Sequence, residues 1–193
     1  MTLEIQEKLY TVEEFLNLEW DDDDEDEYEL IEGRIVAKPK SGVSAEHGKI
    51  VARVVSLLDR YAGFGAGEKR LGEVYSGASC TLGRPVGSNY VEPDACFVLD
   101  GRTPAKFSGA IPVAPDIVVE VWSPSDTTQK IHDKVKAYKE AGVGLIWSIY
   151  MLDQYVVIYR ANDPNAQFLA VKGELDGGDA LPGFKLKVSQ LFE

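Results

Sequence analysis

The chain changes its hydrophobic rhythm several times, and each change predicts an element. Thr11-Val12-Glu13-Glu14 has the spacing of a capping box and opens a short helix to about Leu18. Residues 28–39 (YELIEGRIVAKP) place apolar and β-branched positions on both sides of Glu32-Gly33, the pattern of a hairpin. Ser44 can cap the next helix, where Ile50, Val51, Val54, Val55, Leu58 and Tyr61 recur at helical spacing to about Ala62. The glycine-rich stretch 63–67 ends it. Short strands follow: one or two over 70–82, a loop over 83–89, and a strand over 91–99 entered through Pro93-Asp94. Residues 100–112 read as a loop and 116–122 as a strand. Ser123-Pro124-Ser125-Asp126 starts a helix to about Ala141, with proline at a first-turn position. Strands over 145–150 and 155–159, another over 167–171 and a closing segment over 183–192 complete the chain. There is no internal repeat and no interdomain linker. The order predicts one α/β domain over residues 1–193, a mixed central sheet flanked by helices, with extra hairpins.

Charge changes the picture only locally. Acidic residues outnumber basic ones 32 to 20, for a net charge of −12, which argues against bulk attraction to nucleic acid or anionic membrane. Ten of those carboxylates lie between Glu19 and Glu32, with no Lys or Arg among them, so the remainder of the chain sums to −2. The run over 21–27 repels itself and predicts a solvated loop or helix end. The basic residues Lys38, Lys40, Lys49, Arg53, Lys69 and Arg70 are scattered and form no stripe. No apolar run approaches the roughly 18 residues of a membrane helix, and the first ten residues contain no signal-like apolar core. Cys80 and Cys96 sit in apolar runs and predict two buried thiols in a reducing cytoplasm.

Three residues break their local patterns. Along 117–122 (IVVEVW), Ile117, Val119 and Val121 share one face, and Val118, Glu120 and Trp122 the other. Both faces are apolar, so Glu120 is a carboxylate in a strand buried on both sides and needs a cationic partner. The alternative is a strand-end glutamate that faces solvent or is paired structurally. Asp94 follows Pro93 at the mouth of an apolar strand; the same dipeptide also marks ordinary turns. On the helix through 130–141, 100° per residue places Ile131, Val135 and Tyr138 on one face, and Lys134 falls within that arc. Lys136 and Lys139 fall outside it. The alternative for Lys134 is a stem on the core with its head in water. His47 shares a face with Ile50, Val51, Val54 and Leu58, as a core or rim histidine would; His132 lies on a polar face. Two separate histidines do not suit a zinc hydrolase. Serine-hydrolase, P-loop and dinucleotide-binding motifs are absent.

Together these residues make chemical sense. Asp94 and Glu120 on neighbouring strands can share a hard divalent cation such as Mg²⁺, with the Val121 carbonyl as a third ligand. Lys134 arrives on the next helix and can hold a water or stabilise phosphate charge. That set suits phosphodiester hydrolysis.

The sequence resembles the bacterial "putative restriction endonuclease" family within the PD-(D/E)XK nuclease superfamily. The resemblance runs from about Tyr10 to Tyr159. It rests on Tyr28-Glu29-Leu30-Ile31-Glu32-Gly33, the Ser44 to His47 helix start, Val91-Glu92-Pro93-Asp94-Ala95, Pro115-Asp116-Ile117-Val118-Val119-Glu120-Val121, Ser123-Pro124-Ser125, Lys134 and Tyr138, Gly142-Val143 and Trp147. It implies a restriction-endonuclease-like fold and a Mg²⁺- or Mn²⁺-dependent endonuclease acting on DNA. It maps the acidic pair onto Asp94 and Glu120. The superfamily's usual lysine position holds Trp122, and the matching lysine is Lys134. Glu29 and His47 match positions that support the site, and restriction-type nucleases work as dimers, which implies a homodimer. The chain departs from the family at Lys130, Leu145-Ile146 and Tyr150, where acidic or Glu-Tyr residues are usual. Two other readings stand beside this one: a non-catalytic nuclease-fold module that binds protein or nucleic acid, and a self-associating structural protein using 155–159. If the acidic run folds near the pocket, it acts as a DNA mimic that restrains the enzyme.

Overall fold

The computed structural model describes residues 8–20, 27–38, 44–63, 70–83 and 89–193. The acidic run over 21–26, Lys40, Lys69 and most of the glycine-rich and 83–89 loops lie outside them.

Thr11 caps α1 (Val12–Leu16) through the expected box, its hydroxyl accepting the Glu14 N–H while Glu14 reaches back to the Thr11 N–H. β1 (Glu27–Ile31) and β2 (Arg34–Lys38) form the predicted hairpin. Its two turn residues, Glu32 and Gly33, have positive φ, as a two-residue hairpin turn demands. Ser44 caps α2 (Ala45–Tyr61). β3 (Gly72–Ser76), β4 (Cys80–Leu82), β5 (Asn89–Val91), β6 (Ala95–Leu99) and β7 (Ile117–Trp122) follow. After α3 (Thr128–Glu140) come β8 (Leu145–Tyr150), β9 (Tyr155–Arg160), β10 (Gln167–Leu169), β11 (Glu174–Gly177), β12 (Leu181–Lys187) and α4 (Ser189–Phe192).

The central sheet has six strands in the order β10-β9-β8-β7-β6-β3. Only β7 and β8 are parallel, with α3 as the crossover such a pair requires. A second sheet has the order β2-β1-β5-β4, and β11 and β12 pair by themselves. All six residues of β7 are buried. On one side Ile117, Val119 and Val121 pack with Ile50, Val54 and Leu58 of α2 and with Phe184 and Leu191. On the other, Val118 packs with Val135, Ala137 and Tyr138 of α3, joined by Ile31, Leu82 and Val91 of the second sheet. The mixed α/β architecture matches the expectation from sequence.

Several boundaries differ. The strand read over 91–99 is two strands in different sheets, β5 ending at Val91 and β6 starting at Ala95. Pro93 has no N–H to give either ladder, and the chain changes sheet across Glu92-Pro93-Asp94. The α3 helix starts at Thr128 rather than Ser123, because Asp126 accepts the Ser123 N–H at 2.8 Å in a separate turn and Thr127 is the cap. The closing segment is one strand of the β11-β12 pair followed by α4, and β10 stops at Leu169.

Candidate active site

The change of sheet at Pro93 leaves Asp94 at the start of β6, beside the far end of β7. β6 pairs with β7 only as far as Ala95 opposite Val119. Beyond that point the Asp94 side chain continues the ladder: its Oδ2 accepts the Val121 N–H at 2.6 Å. Its Oδ1 lies 3.3 Å from His47 Nε2, in the first turn of α2. Glu120 projects toward α3, as the alternation along β7 requires. Its Oε1 accepts the Tyr138 hydroxyl at 2.5 Å and lies 2.7 Å from Lys134 Nζ. Tyr138 and Lys134 are four residues apart on α3 and therefore share a face. Lys134 Nζ also reaches Glu29 Oε1 at 3.1 Å and the Glu92 carbonyl at 3.3 Å. Glu29, on β1, in turn accepts the Glu92 N–H at 2.7 Å. Glu29, Glu120 and Lys134 are each 3% exposed, and Tyr138 is fully buried.

The five residues singled out from sequence, Asp94, Glu120, Lys134, Glu29 and His47, thus line one cleft of about 1090 Å³. Three lysines (Lys38, Lys130, Lys134) and six carboxylates (Glu29, Glu46, Glu92, Asp94, Glu120, Asp126) line it. His132 is 70% exposed and belongs to the surface. The Tyr138 hydroxyl is the partner that sequence reasoning missed. The helical arc placed Tyr138 on the apolar face, and its four-residue spacing from Lys134 was the available signal.

Burial pushes the Glu120 carboxyl up to about 7; Lys134 opposes this, and the nearby charges of Asp94 and Glu29 add to it. Burial alone would lower the Lys134 ammonium, but Glu120 and Glu29 hold it above its ordinary range. Tyr138 is raised well above the usual phenol range by burial and then by Glu120. The bond to Asp94 raises His47 against its burial, and the Val121 backbone adds to the effect.

The donor set suits a hard divalent cation. Carboxylates outnumber lysines in the cleft by six to three, and Asp94 and Glu120 repel one another. The Tyr138 hydroxyl and the Lys134 ammonium both engage Glu120 through Oε1. Among the described residues no three of His, Cys, Asp and Glu form a complete metal cage. The two carboxylates alone would supply part of the shell of an ion that keeps several of its waters.

A crystal structure described as that of a putative nuclease belonging to DUF820, from Anabaena variabilis ATCC 29413, shares the fold. Its TM-score is 0.77 at 24% identity, covering 94% of this chain and 97% of that one. No curated protein matches the sequence. The sequence profile of the Uma2 family, described as "Putative restriction endonuclease", matches residues 12–189, and the chain belongs to that family.

Proposed function

We propose that the protein is a Mg²⁺- or Mn²⁺-dependent endonuclease that hydrolyses DNA phosphodiester bonds at Asp94, Glu120 and Lys134. The observation that carries this reading is the convergence of Asp94 and Glu120 on one cleft, with an ammonium 2.7 Å from the second carboxylate. Asp94, Glu120 and the Val121 carbonyl would hold the ion, which supplies a Lewis acid for the phosphate and a more acidic bound water. Lys134 stays protonated between two carboxylates, so it acts as a fixed positive charge and not as a base. All three of its donors are engaged. Releasing the 3.3 Å bond to the Glu92 carbonyl frees one for the attacking water or the phosphate. Glu29 anchors the lysine from the second sheet. His47, against Asp94, holds that carboxylate's outer oxygen. The test is cleavage of plasmid DNA with Mg²⁺ or Mn²⁺. Asp94→Ala, Glu120→Ala and Lys134→Ala should each lower the rate at least about 100-fold, the scale of losing one charge-stabilising group. Cleavage that survives all three substitutions overturns the assignment.

The second reading, a non-catalytic module that binds protein or nucleic acid, draws support from the acidic excess of the cleft. Calorimetry separates the two, since no uptake of Mg²⁺ or Mn²⁺ at millimolar concentration favours the module. The expected homodimer draws support from the outer sheet face, where Phe168 is 62% exposed beside Tyr155. A monomeric mass by light scattering removes it.

A further inference from the structure

A shell of Asp94, Glu120 and the Val121 carbonyl offers a cation only oxygen, yet a nitrogen stands beside it. His47 lies in the first turn of α2, where the Ser44 hydroxyl accepts its backbone N–H at 3.2 Å and fixes the start of the helix at the cleft. Its Nδ1 has no hydrogen-bond partner among the described residues, so the contacts of the ring fall to Nε2. That nitrogen lies 3.3 Å from Asp94 Oδ1, and the ring also bonds the Val121 backbone. The acceptor there is the Val121 carbonyl, since the Val121 N–H is already donated to Asp94 Oδ2. His47 therefore converges on the same carboxylate and the same carbonyl that would hold the cation.

The spacing is that of two ligands rather than of a tight ion pair. A charged N–H to carboxylate bond closes to about 2.7–2.9 Å, well short of the 3.3 Å between these atoms. Neighbouring ligands of an octahedral ion, each about 2.1 Å from the metal, lie about 3.0 Å apart. Longer metal bonds widen that separation. The surroundings favour positive charge as well, because both Asp94 and Asp126, in the turn before α3, act on the ring. The His47 and Asp94 side chains are 15% and 22% exposed, so an ion and its waters can reach them.

We propose that His47 Nε2 is a ligand of the cation, beside Asp94, Glu120 and the Val121 carbonyl, and that this nitrogen makes the site select Mn²⁺ over Mg²⁺. Mg²⁺ takes oxygen ligands and gives up its waters reluctantly, whereas an imidazole suits first-row transition ions. The proposal rests on the metal-dependent nuclease reading and specifies its ion.

The experiment is calorimetric titration of the full chain with Mn²⁺ and with Mg²⁺, joined to electron spin echo spectroscopy of the bound Mn²⁺. The wild type should bind Mn²⁺ at least about tenfold more tightly than Mg²⁺. The bound Mn²⁺ should show the modulation of a directly coordinated imidazole nitrogen. His47→Gln keeps an amide donor for Asp94 and offers no imidazole. It should lower Mn²⁺ affinity at least about tenfold and Mg²⁺ affinity less than about threefold, because a lost nitrogen ligand bears on Mn²⁺ whereas a lost support bears on both ions. The nitrogen modulation should disappear in this variant, although His132 remains. A wild type without nitrogen modulation, or equal losses for the two ions in His47→Gln, overturns the proposal and makes His47 a positioning residue for Asp94. Either result leaves the nuclease reading standing, since that reading is decided by plasmid cleavage. If the wild type takes up neither ion at millimolar concentration, the nuclease reading falls and takes this one with it.

Discussion

A lysine and two glutamates that are each 3% exposed would be an expensive arrangement for a purely structural role. Glu120 shows the strain directly. Its carboxyl is raised from an ordinary 4.5 to about 7, first by burial. A raised carboxyl contributes stability that is fully present below pH 4.5 and is lost as pH rises through about 7. The charge of Lys134 lowers that pKa and so limits the loss. Lys134→Met should therefore destabilise the protein by about 3–5 kcal/mol at pH 8, the effect of stranding a buried charge. The deficit should shrink at pH 5, where Glu120 takes up a proton in the folded state. Urea unfolding at both pH values checks this, and equal deficits would refute it. Tyr138→Phe is a quieter change. It keeps the buried ring and removes the hydroxyl that Glu120 accepts at 2.5 Å. A bond to a charged group is worth about 1.5–3 kcal/mol, so the unfolding free energy should fall by that amount, read as a lower urea midpoint with an unchanged slope. An unmoved midpoint would mean that water replaces the hydroxyl without loss.

The elements explain why these side chains meet, and they also show where pattern reading reaches its limit. Alternation along β7 and the 100° arc of α3 located Glu120 and Lys134 on facing surfaces, because burial imposes those periods directly. The break at Pro93 escaped the same logic. Val91 and Ala95 are both 0% exposed, so the apolar run continues across a change of sheet and conceals it. The Tyr138 hydroxyl was hidden for a related reason, since periodicity reports that a side chain is buried but not which atom it bonds. Glu29 emerged only through the family resemblance, because nothing within β1 shows that it faces a lysine 105 residues away. Two glycines test the packing between elements. A Cβ on Gly72, in β3, would lie 2.2 Å from the Val98 carbonyl and 2.6 Å from the Phe97 ring, in the strand paired with it. One on Gly48, in α2, would meet nothing within 4 Å. Gly72→Ala should cost about 2–3 kcal/mol through overpacking, whereas Gly48→Ala should add about 0.5–1 kcal/mol through helix propensity. Thermal unfolding should show melting temperatures that move in opposite directions; shifts of one sign would mean that β3 can move away from β6.

For the molecule as a whole, the question raised by the nuclease reading is how a chain of net charge −12 would hold a polyanion. The cleft does not resolve it by excess basic charge, since its six carboxylates outnumber its three lysines. A cation held at Asp94 and Glu120 would act only over contact distances, so charge elsewhere on the molecule governs the approach. Residues 21–26 carry six of the carboxylates. Replacing them with their amides halves the net charge to −6 and leaves the chain length unchanged. Repulsion between exposed charges reaches about 30 Å at 0.01 M salt and about 8 Å at physiological ionic strength. The amide variant should therefore bind a DNA oligonucleotide, in the presence of Ca²⁺, severalfold more tightly at low salt. The gain should fade as salt approaches about 0.3 M, where screening removes the long-range term. A gain that persists at high salt would point to direct occupation of the cleft by the acidic run, the behaviour of a DNA mimic. Equal affinities for the two proteins at low salt would show that the run has no part in nucleic-acid access. The acidity of the chain would then act on its solubility and association rather than on its substrate.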